Sequence, residues 1–161
     1  MARTIRIAVM VGLLAALIAG TSTVVAHDSD GHSGHSREVI ETRLVGLPQS
    51  FVNVFLAGVK GAGHAWAIKD GEAELRSDGR LDLKVRGLVL SPEGNNPADF
   101  GIAIVSCNGG LTAADIVKST PVPFSDAGNG RVKQTLTLPA QCLAPTIFFG
   151  STGGSWFAVS G

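Results

Sequence analysis

The chain has 161 residues, 13 basic and 13 acidic side chains that cancel, and a hydrophobic fraction of 45%. That length fits one domain with a core of its own. Lys and Arg are not clustered, which argues against nucleic acid as a partner and leaves no juxtamembrane basic cluster for anionic lipid.

Arg3 and Arg6 precede an apolar run over 7–19, and Val24-Val25-Ala26 fits a small-x-small cleavage site. This pattern predicts a secretory signal peptide over 1–26, cleaved so that the working protein starts at His27 outside the cytoplasm. An uncleaved anchor is the alternative. The run is short for it and ends in Gly20, Thr21, Ser22 and Thr23, whereas a span needs about 20 apolar residues. No twin Arg precedes the run and no Cys follows it, so neither a twin-arginine signal nor a lipid-attached lipoprotein is favoured. Cleavage leaves 135 of the 161 residues and a net charge of −2, because the leader holds two of the 13 basic and none of the 13 acidic residues. No transmembrane helix is expected after it.

Residues 27–38 hold His, Ser, Gly and Asp and almost nothing apolar, which predicts a flexible arm ahead of a single domain over 39–161. The arm contains His27, His32 and His35; the fourth histidine, His64, lies in the domain. Cleavage before His27 would place an amine and an imidazole on one residue, a bidentate nitrogen chelate. One more imidazole, from His32, His35 or His64, completes a three-nitrogen site suited to copper. Copper polysaccharide monooxygenases use such an N-terminal histidine, and the resemblance to them is confined to that residue. The competing reading is a polar spacer that binds metal weakly, since a Gly/Ser-rich arm supplies no rigid second shell. The preferred expectation is no metal and no cofactor.

Beyond the arm, short apolar runs are cut by Gly, Pro, Asn and Asp. Strands are predicted over 40–44, 51–56, 65–69, 72–76, 81–90, 101–107, 132–138, 145–149 and 156–159. Many short strands with frequent turns predict an all-β antiparallel β-sandwich, immunoglobulin-like in general architecture. Around Ser77-Asp78-Gly79, a three-residue loop with Gly79 left-handed keeps Ala73, Leu75, Leu81, Leu83 and Val85 on one face. It also sets Glu74 opposite Asp82 and Arg76 opposite Arg80, a repulsion that exposed charges make small. Residues 111–117 read as locally helical with Thr112 as N-cap, and 108–110 and 121–130 as surface loops.

Only Cys107 and Cys142 are available for a bridge, and in an oxidising compartment a disulfide is the default. It would join strand ends or an adjoining loop. No G-x-S-x-G, H-E-x-x-H or phosphate-binding loop is present. A hydrolase would have to use His64, with Asp70 and Glu72 its nearest acids in sequence. Glu72 and Glu74 share a face, as a carboxylate pair or simply as solvated strand charges. Trp66 and Trp156 fit a core; were both exposed, they would suggest a carbohydrate platform.

Residues 61–75 (GAGHAWAIKDGEAEL), 82–90 (DLKVRGLVL) and the tail from Cys142 with its Ser155-Trp156-Phe157-Ala158-Val159 ending carry a resemblance. On them the chain resembles small exported β-rich proteins of unknown function from high-GC Gram-positive bacteria. The resemblance implies a secreted or envelope-associated β-domain and brings no activity with it. The reading is a secreted, non-catalytic β-sandwich with an extracellular binding or envelope-structural role and an unknown ligand. An exported copper binder on His27 is the alternative, and a hydrolase around His64 the weaker one.

Overall fold

The computed structural model describes residues 38–161. β1 (Glu38–Gly46) leads through a 3-10 turn (Gln49–Phe51) to three two-residue strands, β2 (Phe55–Leu56), β3 (Val59–Lys60) and β4 (Trp66–Ala67). The long hairpin β5 (Asp70–Arg76) and β6 (Arg80–Arg86) follows, then β7 (Val89–Leu90) and β8 (Phe100–Ser106). Two further 3-10 turns (Asn108–Gly110 and Ala113–Asp115) precede β9 (Ile116–Lys118) and β10 (Val122–Pro123). The chain ends in β11 (Gly130–Thr135), β12 (Thr146–Ser151) and β13 (Trp156–Ser160).

These strands build an antiparallel sheet ordered β10-β8-β12-β13-β1-β5-β6-β11, with β9 also beside β8. β1 belongs to both halves. Its first residues pair with β5, and Leu44, Val45 and Gly46 pair with β13. The sheet therefore folds over at β1 into two walls, the all-β sandwich expected from the turn-rich pattern. At the far ends, β10 runs through a tight turn into β11, and Phe124 and Gly130 form a bridge. Gln134 of β11 accepts from the Thr120 N–H at 3.0 Å and donates to the Thr120 hydroxyl at 2.7 Å. The two edges of the curled sheet thus face one another, joined by one bridge and one side-chain amide.

The walls differ in how they are buried. In β5 and β6 buried residues alternate with wetter ones, so one face packs and one is wet. Leu75 lies opposite Leu81 and Ala73 opposite Leu83, which is the three-residue-loop register, and Gly79 has φ +82°. In β8, β12 and β13 the runs Ile102 to Ser106, Ile147 to Gly150 and Trp156 to Val159 are buried throughout. One side of this wall carries a ring cluster: Trp66 of β4 stacks on Phe157 at 4.1 Å, and Phe124, just past β10, meets Phe149 edge-on at 5.0 Å. The other side is roofed by the segment between β1 and β4. Phe51 lies 6.5 Å from Trp156, which packs on Phe148 at 5.8 Å, and the Ala62 N–H donates to the Trp156 carbonyl.

Several local expectations are corrected. Residues 51–56 are the end of a 3-10 turn followed by the short β2, because the chain bends here to roof β13 and pairs only with β3 rather than joining the main sheet. The run 65–69 shortens to β4, and 81–90 breaks at Gly87, whose φ of +58° ends β6. Within 111–117, Thr112 does cap, through a capping box with Asp115, but only one 3-10 turn forms before β9. Cys107 donates its N–H to the Asp115 carbonyl, which draws the chain back into the sheet. The expected loop 121–130 contains β10 and the tight turn. The first strand begins at Glu38, one residue before the expected boundary; the predicted leader 1–26 and the arm as far as 37 lie outside the described residues.

Candidate functional site

The wet face of the first wall carries charges in transverse rows. Glu41, Glu74 and Asp82 stand directly opposite one another across β1, β5 and β6, with Lys133 of β11 next in line. Like charges in register repel, and this row is relieved diagonally. Arg76 pairs with Glu74, and Arg131 forks onto Asp82 with Nε at 3.0 Å and Nη2 at 2.7 Å. Looser pairs join Lys84 to Glu72 and both Arg43 and Arg86 to Asp70. The Arg131 hydrogen bonds hold the Asp82 carboxyl below the usual carboxylate range, and the same bonds raise Arg131. A shallow depression of about 570 Å³ lies here, lined by Glu74, Arg76, Arg80, Asp82, Lys133 and Gln134 among others. Its charges largely answer one another. Glu72 and Glu74, the candidate carboxylate pair, each face a cation.

His64 sits exposed in a bend ahead of β4 rather than opening a strand. Among the described residues no hydrogen bond or ion pair joins it to a Ser, a Cys or an acid. The arrangement a hydrolase would need is not assembled around it. Nor does any group of three or more His, Cys, Asp or Glu among the described residues offer a metal site. His27, His32 and His35, the other copper candidates, lie outside the described residues. Trp66 and Trp156 are both buried, so the carbohydrate platform that required their exposure does not form.

Cys107 and Cys142 are bridged, with their Cα atoms 4.7 Å apart. Cys107 follows the buried end of β8, and Cys142 precedes β12, its neighbour in the sheet. Around the bridge three loops converge. Asn108 exchanges main-chain and side-chain hydrogen bonds with Leu143 and donates to Asp115 at 2.8 Å and to the Gln141 carbonyl at 3.0 Å. Asn108, Gly109 and Gly110 are all left-handed, which lets the loop fold tightly against the β2–β3 hairpin. There a Cβ on Gly110 would sit 2.2 Å from the Ala57 carbonyl oxygen. The buried Ser106 hydroxyl donates to that carbonyl at 2.7 Å. Asp115 accepts from the Thr112 N–H and hydroxyl as well as from Asn108, and these bonds, Asn108 foremost, lower its carboxyl's affinity for protons.

This braced end displays apolar side chains. Leu111 is 84% exposed, Leu143 68% and Phe55 67%, with Phe51 and Val54 beside them in sequence also exposed. Across the described residues every exposed large hydrophobic falls in one of three segments without a single charged residue, 44–59, 100–114 and 134–161. Sequence reasoning passed over these residues while looking for reactive groups. The available signal was the long absence of charge, above all the uncharged tail after Lys133. The molecule thus has one strongly charged wall and, over the other, a roof and loop cluster that are nearly uncharged and partly apolar. No helix among the described residues is long and apolar enough to cross a membrane.

Comparison with protein-family models, with curated proteins and with solved structures found no match.

Proposed function

We propose that the chain is an exported, non-catalytic binding module of the extracellular space or cell envelope, and that it binds through the disulfide-braced end. The observation that carries this reading is the confinement of exposed Phe55, Leu111 and Leu143 to charge-free loops held by Cys107–Cys142 and Asn108. Apolar side chains left in water on a rigid frame are the usual mark of an interaction site. The Cys pair suits an oxidising compartment, and the leader pattern and the resemblance to small exported β-rich proteins support export. The immunoglobulin-like comparison rests on the two-walled antiparallel arrangement alone.

The test is to express the full chain with its own leader in a Gram-positive host and to follow the processed product. Export predicts His27 as first residue, no free thiol, and a share of protein held on the envelope that F55S/L111S/L143S releases to the medium. Unprocessed protein with two free thiols would overturn the reading. The copper alternative meets the same experiment, since any first residue other than His27 removes its chelate.

A further inference from the structure

We infer that the braced apolar end seats on an anionic lipid surface; this rests on the binding role proposed above and names its partner. Three features of the end favour a membrane over a folded protein. First, Phe55, on the β2–β3 hairpin, and Leu111 and Leu143, on two loops, are each mostly exposed. Such tips suit a deformable medium that closes around each of them, and insertion is favoured in proportion to the apolar area transferred.

Second, several polar groups that insertion would otherwise strand are already tied. The Ala57 and Leu143 carbonyls, the Leu143 N–H and the Asn108 amide all have partners within the loops. The Asp115 carboxylate, the negative charge of this end, is held by Asn108 and Thr112.

Third, an exposed cation stands beside the Phe55 tip. Lys60 lies directly across the hairpin from Phe55, is exposed and makes no ion pair among the described residues. On the opposite wall Asp70, Glu72, Glu74 and Asp82 each pair with an Arg or Lys of their own. The sequence has no basic cluster, so apolar insertion carries the binding and Lys60 sets the preference for negative headgroups.

The experiment is sedimentation of the processed, exported protein with phosphatidylcholine vesicles, with and without 30% phosphatidylglycerol. The expected result is binding to the anionic vesicles, weakened about tenfold or more by F55S/L111S/L143S. K60Q should weaken it about fivefold, and high salt should lower the wild type towards that level. The triple variant must keep the wild-type unfolding curve and the near-ultraviolet signal of the buried Trp66 and Trp156, since its sites are exposed. A wild type that ignores both vesicles while the envelope retains it through the same three residues overturns the lipid assignment and leaves the binding role standing. Equal vesicle binding by the triple variant also overturns it. So does a wild-type dimer that the triple variant dissociates, for then a second copy is the partner.

Discussion

Replacing Cys142 by Ser tests how far the bridge holds the domain together. Cys142 is the better partner to change, because it is only half-buried, whereas a Ser at the fully buried Cys107 would add the cost of an enclosed hydroxyl. The bridge spans 35 residues. Chain entropy for a loop of that size, with ΔS ≈ −2.1 − 1.5R ln n, gives about 4 kcal/mol at 25 °C. For a domain of this size that corresponds to a fall in Tm of roughly 10–20 °C. The Asn108 hydrogen bonds join the same loops, so the native end can stay closed without the bridge and the loss should arise chiefly in the unfolded chain. Urea titration separates these contributions. A freed unfolded chain exposes more surface, so the variant should show a lower midpoint together with a steeper m-value. A loss below about 1 kcal/mol with unchanged m would refute the entropic argument and assign the order of this end to Asn108 and its partners.

Three other outcomes follow from particular contacts. Gly79 has φ +82°, and a Cβ there would meet the Leu136 carbonyl oxygen at 2.0 Å, so G79A should cost at least about 2 kcal/mol in the same titration; a neutral G79A would mean the turn can be rebuilt. Arg131 lowers the Asp82 carboxyl, so the pair stabilises the fold above the ordinary carboxylate pKa of about 4, and that contribution disappears as Asp82 protonates at lower pH. D82N should therefore be less stable than wild type by roughly 0.5–1 kcal/mol at pH 7, the pair being partly exposed, and equal to it near pH 2; a gap independent of pH would show that the charge is not involved. Copper(II) titration of protein starting at His27 should match the peptide 27–37 and be unaffected by H64A, since no metal-binding group of His, Cys, Asp or Glu forms among the described residues. One-to-one binding far tighter than the peptide's and lost in H64A would instead make copper handling the leading function.

The strand framework was legible where one residue pattern mapped onto one environment. Alternation through Ala73, Leu75, Leu81, Leu83 and Val85, with a glycine at the position needing positive φ, determined the β5–β6 register despite the repulsion it creates. The relief of that repulsion was not legible, because Arg131 lies 49 positions from Asp82 and only the β6–β11 pairing brings them together. Continuous apolar runs at 102–105, 147–149 and 156–159 were legible as strands, and the structure buries them on both faces. What roofs the second face has no periodicity to read: Phe51 and Ala57 reach it through turns. Residues 116–118 were missed because their strand identity depends on hydrogen bonds to β8, while Thr112 supplies a genuine capping signal for a helix that ends after one turn. The apolar tips escaped notice since a single Leu or Phe is ordinary, and only the placement of three loops at one bridge makes them a surface.

The meeting of the two sheet margins at β10 and β11 bears on how such a chain avoids pairing with the strands of other molecules. A strand margin with idle N–H and C=O groups is a template for another molecule's strand, the first step of fibre growth. Here each margin occupies the approach to the other. The outer one is further broken by Ser119, whose hydroxyl replaces a ladder acceptor for the Ala103 N–H, and by Pro121 and Pro123, which offer no donor. Removing the Gln134 side chain would loosen the seam, and Q134A should form amyloid faster than the wild type in a thioflavin fluorescence assay.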